Sequence, residues 1–368
     1  MKIAILGNSD VSIYTYRYEL IEALISLGHS VTVISPYGGL IEDLKSLGCD
    51  YIETSLDRHG TNPVKDLRLL KSYKKILKSI SPDYVFTYTI KPNIYGAWAC
   101  KKLSIPCIAN ITGLGTAVEN SGILQLITVT LYRIAFKKIH TIFFQNQENM
   151  QFFTDKGLYT DKHRLLPGSG VNLARFQPYE YPPDDTVEFV FISRLMKEKG
   201  IDQYLEAARV IKQKYPHTRF HVCGACEKEY ESKMVALTES DTVIYHGMVK
   251  DIREVLRYVH CTVHPTYYPE GLSNVLLESC ACARPIITTD RAGCREVVED
   301  GVNGFVIKQQ DTPDLVRALE HFLSLPHPAR AQLGINGRQK VERDFDRSIV
   351  ITAYLERIGE KELINIGN

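Results

Sequence analysis

No apolar run in this sequence approaches the ~20 residues that a membrane-spanning helix requires; Ile123 to Phe136 comes nearest, and Gln125 and Arg133 interrupt it. Net charge is nearly absent as well. The 44 Lys+Arg and 43 Asp+Glu leave a formal +1, which argues against bulk electrostatic capture of nucleic acid. A disulfide frame is missing: the nine cysteines, an odd number, follow no repeating spacing. Met1 to Leu6 reads as a strand rather than a signal peptide, so a cytosolic protein with free thiols is expected. Cys223-Gly-Ala-Cys226 finds no second Cys-x-x-Cys with which to build a zinc site, and neither metal nor redox chemistry is expected there. The turn after the first strand, Gly7-Asn8-Ser9-Asp10, lacks a full Gly-x-Gly-x-x-Gly. A dinucleotide cofactor is therefore not supported.

What is present describes an ordinary globular chain, 44% hydrophobic and 24% charged, whose 368 residues exceed the usual size of one core. Two domains are the expectation. The near-neutral total conceals an asymmetry. Residues 1–172 carry 19 Lys+Arg against 14 Asp+Glu, a net +5, and residues 173–368 carry 25 against 29, a net −4.

Strand and helix patterns alternate along the chain. Lys2–Leu6 reads as a buried strand, Ile13–Leu27 as an amphipathic helix closed by Gly28, and His29–Ser35 as the next strand. A helix from Val64 to Ile80 carries Lys65, Arg68, Lys71, Lys74, Lys75 and Lys78. These form either a solvated face or a surface attracted to anionic lipid. The strand Tyr84–Tyr88 ends at Lys91-Pro92-Asn93, the strand Cys107–Ile111 at Thr112-Gly113-Leu114-Gly115-Thr116, and His140–Gln145 is expected to close this sheet. The helix Ile123–Lys138 is a second candidate for a membrane-facing surface. Pro167-Gly168-Ser169-Gly170 looks like a linker, after which the alternation restarts with the strand Val187–Ile192. The expected architecture is α/β: two doubly wound, Rossmann-like parallel-sheet domains, 1–172 and 173–347, with a cleft between them and a last helix, about 348–368, crossing back to the first.

The stretch from Thr266 to Glu278 draws attention to itself in the second domain. Cys261–His264 reads as a buried strand and Val275–Ala283 as a helix, with Pro269 and Gly271 at the turn and Ser273 or Asn274 as N-cap. A helix start of this kind attracts anions, above all phosphate. Glu270 lies just outside that anion site and Glu278 about one turn inside the helix.

Arg194 with Lys199-Gly200, and Glu270 with Glu278, occur in the order and spacing of a known pattern. The chain resembles the retaining, nucleotide-sugar-dependent glycosyltransferases of GT-B architecture, in the bacterial branch that builds capsular, O-antigen and other lipid-linked glycans. The resemblance runs from Ser12-Ile13-Tyr14-Thr15-Tyr16-Arg17 through Thr112-Gly113-Leu114-Gly115 to Gly301-Val302-Asn303-Gly304-Phe305. It implies transfer of a hexose, N-acetylhexosamine or uronic acid from a UDP-sugar to an undecaprenyl-diphosphate-linked sugar, by a protein lying on the inner face of the cytoplasmic membrane. By the resemblance, Arg194 and Lys199 would reach the donor diphosphate, and backbone N–H groups of Gly271, Leu272, Ser273, Asn274 and Val275 would face the same phosphates. Glu270 would contact sugar hydroxyls, Glu278 the ribose, and Gly224 with His246 to Val249 would border the nucleotide. Asn8, Lys91, Asn93, Thr112 and Gly113 are the acceptor or donor-sugar candidates, on loop position.

Many members of the family carry a histidine on the loop corresponding to Thr112–Thr116. This chain has none, and Glu119 is the nearest ionisable group. Asp344-Phe345-Asp346 mimics a metal-binding Asp-x-Asp but falls late, after a helix, so no metal and no cofactor beyond the UDP-sugar substrate are expected. A UDP-sugar 2-epimerase of the same build and a non-catalytic nucleotide-sugar-binding regulator stay open as alternatives.

Overall fold

The computed structural model describes residues 1–56, 62–115, 118 and 122–360; the loop positions Asp57–Thr61, Thr116, Glu119 and residues 361–368 lie outside them. The chain divides into two compact units, Met1–Ser169 together with the chain from Ser348, and Gly170–Arg347.

The first unit is one parallel sheet: β1 Lys2–Leu6, β2 Ser30–Ser35, β3 Asp50–Glu53, β4 Tyr84–Tyr88, β5 Cys107–Ile111, β6 Thr141–Phe144 and β7 His163–Leu165, in spatial order β3-β2-β1-β4-β5-β6-β7. Its central strands read as unbroken apolar runs because helices cover both faces. One face packs Leu69, Leu70, Tyr73 and Leu77 of α3 (Pro63–Ile80), Ala97 and Cys100 of α4 (Ala97–Leu103), and Val129, Tyr132 and Ala135 of α5 (Ile123–Ala135). The other packs α1 (Asp10–Ser26) and α2 (Ile41–Ser46). The start of α3 is set locally: the Asn62 side chain accepts from the N–H groups of Val64 (2.9 Å) and Lys65 (3.3 Å), and Pro63 takes the first helical position, where its missing N–H costs nothing.

His140–Gln145 does not close the sheet. Beyond β6 and the helix α6 (Gln147–Asp155) lies β7, whose register pairs Ile142 with His163. Three residues, two of them exposed at the sheet edge, leave no apolar alternation to read.

The second unit repeats the plan with β8 Val187–Ile192, β9 Thr218–Cys223, β10 Ile244–Tyr245, β11 Cys261–His264, β12 Ile286–Thr289 and β13 Gly304–Ile307, ordered β10-β9-β8-β11-β12-β13. Gly304 opens β13 and pairs with Ile286. The helices are α7 Ile201–Lys214, α8 Glu231–Glu239, α9 Arg253–Leu256, α10 Asn274–Ala281, α11 Thr312–Ser324 and α12 His327–Asp344. In each unit the strand order reverses beside the first strand, between β1 and β4 and between β8 and β11. Open parallel sheets bind ligands at the carboxyl ends of the strands at such a reversal.

The last helix, α13 Arg347–Arg357, belongs to the first unit. Val350, Ile351, Tyr354 and Leu355 join the core that contains Phe86 and Phe143, and the Asn110 amide donates to the Tyr354 hydroxyl at 2.9 Å. Among the described residues no helix is long and apolar enough to cross a membrane.

Candidate active site

At the carboxyl edge of the second sheet, four loops are laced by their backbones. Leu195 N–H donates to Ala225 (2.8 Å), Gly224 N–H to Gly247 (2.7 Å) and Tyr267 N–H to Glu198 (2.9 Å). Two glycines permit this closeness. A Cβ on Gly224, at φ +145°, would stand 1.8 Å from the Ser193 carbonyl oxygen, and one on Gly200, at φ +79°, 2.1 Å from that of Pro265. Gly224 therefore acts through loop packing.

The lacing brings Lys199, from the loop after β8, onto Glu270, from the loop after β11, as a half-buried ion pair. The Lys199 ammonium also lies 4.7 Å from the centre of the Tyr268 ring. Beneath the pair, at the end of β11, His264 is 1% exposed, with Nε2 3.9 Å from the Glu270 carboxylate. Neither ring nitrogen of His264 has a hydrogen-bond partner. Burial, reinforced by the Lys199 charge, pushes its pKa down to about 3, so the imidazole is neutral at physiological pH. Nothing in the sequence singles His264 out, because it reads as the last residue of a buried strand.

Helix α10 starts three residues beyond the loop glycine Gly271. Ser273 is the N-cap, without a side-chain capping bond, so its hydroxyl does not occupy the first-turn N–H groups. One expectation needs correction: the Ser273 N–H donates to the Gly293 carbonyl at 2.8 Å and is not presented to a ligand. Leu272 is buried in the core of this unit, whereas Asn274 and Val275 are half-buried at the helix start. Glu278, one turn in, is half-buried. Burial pushes its carboxyl up to about 7, against the pull of Arg347 and Arg175, with Asp251 adding to the rise.

Arg194 is exposed on the loop it shares with Lys199. The His246 ring turns back into its own unit: its Nε2 lies 2.9 Å from Nδ1 of His221, whose Nε2 lies 2.8 Å from Glu188. Val249 packs against the core rather than standing clear of it. Arg194, Lys199, Glu270 and the α10 start thus surround one rim, offering cationic groups and N–H donors suited to phosphate oxygens beside a carboxylate suited to hydroxyls. Among the described residues no three of His, Cys, Asp and Glu gather as metal ligands.

In the first unit two candidates are corrected. Asn93 is 1% exposed; it accepts from the Thr87 hydroxyl (2.7 Å) and donates to the Asn110 carbonyl (2.8 Å), so its amide is consumed inside the fold. Lys91 is likewise engaged, paired with Asp66 at 2.8 Å with both side chains largely buried. Asn8 is half-buried on the β1 loop and accepts from the Ser12 hydroxyl at 3.4 Å. Thr112 and Gly113 are half-buried just after β5.

Comparison with known proteins follows the same division. Residues 176–340 match the model described as glycosyl transferases group 1, and residues 2–146 match glycosyl transferase 4-like. The chain is 27% identical, over 97% of its length and 98% of the relative's, to a Campylobacter jejuni protein named N,N'-diacetylbacillosaminyl-diphospho-undecaprenol alpha-1,3-N-acetylgalactosaminyltransferase. It is 26% identical, over 70% of each chain, to an Escherichia coli protein named UDP-Gal:alpha-D-GlcNAc-diphosphoundecaprenol alpha-1,3-galactosyltransferase. Among solved structures, Anabaena HepE in complex with UDP and glucose superposes with a TM-score of 0.80 at 17% identity, covering 97% of this chain and 99% of that one.

Proposed function

Because the chain belongs to the GT-B glycosyltransferases, we propose that it moves a hexose, N-acetylhexosamine or uronic acid from a UDP-sugar onto an undecaprenyl-diphosphate-linked sugar, with retention at the anomeric carbon. The observation that carries this reading is the Lys199–Glu270 ion pair at the β8/β11 reversal, beside the start of α10. A donor diphosphate would claim the ammonium, and donor-sugar hydroxyls the carboxylate. The names of the two relatives favour a lipid-diphosphate acceptor, and that of the E. coli protein a UDP-sugar.

The acceptor hydroxyl would attack the anomeric carbon from the face the leaving group departs. As the bond from that carbon to the diphosphate breaks, its electron pair goes to the diphosphate oxygen, which takes the acceptor's proton. Lys199 and Arg194 neutralise the charge that develops there. Glu278 would receive the ribose hydroxyls, and the His246–Val249 loop would border the base. Asn8, Thr112 and Gly113 remain on the acceptor side of the proposal. No metal enters the proposed step.

The acceptor's lipid calls for a membrane surface, and one face of the first unit suits it. Helices α3, α4 and α5 cover the same core. On their outer side α3 exposes Lys65, Arg68, Lys71, Lys74, Lys75 and Lys78, while α5 exposes Ile123 (78%) and Leu126 (67%). Each basic group near an anionic leaflet contributes about 1 kcal/mol. The protein would thus act as a peripheral protein at the inner face of the cytoplasmic membrane.

A screen of radiolabelled UDP-sugars with lipid-linked acceptors tests the whole reading. Label should enter the lipid-extractable fraction with the donor's anomeric configuration. An isomeric free UDP-sugar, or an inverted product, would overturn it.

A further inference from the structure

The first unit carries a buried cation that the proposed transfer does not use. Arg17, on the inward face of α1, is 4% exposed. Its guanidinium lies over the Tyr88 ring, 4.2 Å from the ring centre. Among the described residues no carboxylate pairs with it and no oxygen accepts its N–H groups. Asp10, the acid on the same helix face, is engaged elsewhere and accepts from the Leu40 N–H at 3.0 Å. The groups that sense the charge are the phenols of Tyr88 and Tyr354, which burial keeps neutral.

A buried arginine is normally saturated by acceptors. Arg284 shows the ordinary case: it is equally buried and donates to the carbonyls of Leu256, Tyr179, Glu180 and Arg257. At Arg17 the ring attracts the charge but supplies no lone pair. The guanidinium therefore keeps its capacity for a fork of two parallel bonds to an oxyanion.

The fold sets this fork where ligands arrive. A helical side chain leans toward the helix N-terminus, and α1 begins just after β1, at the carboxyl edge of the sheet. Tyr88 is the last residue of β4, the neighbour of β1 at the reversal of strand order. Contact with Tyr88 thus holds the guanidinium at the level of the crevice. The backbone is strained at the same strand end. Thr89 has φ +69°, in the left-handed region that a β-branched residue rarely enters, and among the described residues its buried hydroxyl has no hydrogen-bond partner. Outliers of this kind gather at binding sites.

We propose that Arg17 is the oxyanion-binding residue of the first unit, its fork taking the diphosphate that joins the acceptor sugar to its lipid. This rests on the reading of the acceptor as a lipid-diphosphate-linked sugar. The site makes and breaks no bond; it fixes the end of the acceptor remote from the donor. A planar fork aligns the diphosphate as well as attracting it, which a lysine would not do. The charge is uncompensated in the free protein and paired in the complex, which favours the acceptor-bound state.

Calorimetry with pyrophosphate tests the site without acceptor or turnover. In protein saturated with UDP, which fills the donor's diphosphate position, wild type should bind pyrophosphate. Arg17→Met should bind it about 10–100-fold more weakly, the size of a lost bond between charged groups, and Arg17→Lys should recover only part of the loss. An unpaired buried cation does not hold a fold together, so Arg17→Met should melt no more than about 2 °C below wild type. Equal pyrophosphate affinity in wild type and Arg17→Met, or a larger fall in melting temperature, would overturn the assignment.

Turnover identifies the source of the oxyanion. The ratio of kcat/KM for a lipid-diphosphate-linked sugar to that for the same sugar on an uncharged lipid glycoside should fall about 10–100-fold in Arg17→Met, while UDP affinity stays matched. An unchanged ratio would refute the proposal, because the site would then take free phosphate rather than the acceptor. If pyrophosphate binding depends on Arg17 but no lipid-linked sugar is turned over, the acceptor reading fails while the oxyanion site stands.

Discussion

If Glu278 receives the ribose hydroxyls, nucleotide binding must expel its proton. Burial holds this carboxyl at about 7 rather than at 4.5, so near neutral pH it is about half protonated in the free protein. Two hydroxyls donate well only to the ionised form, and a bound ribose therefore pulls the pKa back toward its ordinary value. Full recovery spans 7 − 4.5, or 2.5 units; at 1.36 kcal/mol per unit this is ~3.4 kcal/mol, or roughly 300-fold in affinity, as an upper figure for a half-buried group. The sign follows from which form binds. Affinity for UDP should be flat above pH 7, fall by up to about tenfold per unit as pH drops through 7, and level off near 4.5. The same raised pKa acts on the fold in the opposite sense. Between 4.5 and 7 the folded chain binds more protons at this site than the unfolded chain, so its contribution to stability is lost as pH rises through that window.

The assay is calorimetric titration with UDP at pH 7 in buffers of different ionisation enthalpy, on wild-type and Glu278→Gln protein. The phosphate of UDP titrates in both, and the difference isolates the carboxyl. Wild type should release about half a proton more than the variant. Equal release would refute both the ribose role and the burial argument.

Three further outcomes are expected. Gly224→Ala should destabilise the second unit by about 2–4 kcal/mol and weaken UDP binding, because its Cβ would meet the Ser193 carbonyl; urea unfolding within 0.5 kcal/mol of wild type would contradict the lacing argument. Asn93→Ala should cost about 2–4 kcal/mol by stranding the Thr87 hydroxyl and the Asn110 carbonyl, while the folded fraction keeps its KM for both substrates. A raised acceptor KM would return Asn93 to the binding surface. Leu126→Ser with Ile127→Ser, both exposed, should leave the melting temperature within about 1–2 °C of wild type and reduce flotation with vesicles containing anionic phospholipid. Undiminished flotation would count against the membrane face.

The central strands could be read because parallel strands covered on both faces appear as apolar runs, and β1, β4, β8 and β11 all do. The edge strands β7 and β13 could not. They are short, and their residues are chosen by one neighbour and by solvent rather than by two layers of helix. Lys199 and Glu270 are legible because each sits in a short local motif, and the strand order makes their loops neighbours. Lys91 and Asn93 mislead for the complementary reason: loop position reveals the strand end but not the direction of the side chain, and their partners, Asp66 and Asn110, are distant in sequence. His264 is invisible in one dimension because an unpartnered imidazole differs from a satisfied one only in its surroundings.

The return of α13 to the first unit sets the order in which this protein can be made. Tyr354 and its neighbours complete a core whose other walls, Phe86 and Phe143, leave the ribosome far earlier. The second unit, Gly170–Arg347, is contiguous, and at about 5–20 residues per second its synthesis takes roughly 10–40 s. Throughout that interval the first unit waits with part of its apolar interior uncovered. A chain stopped before residue 348 should therefore leave the second unit folded and the first dependent on chaperones, which makes α13 the checkpoint at which the first unit is completed.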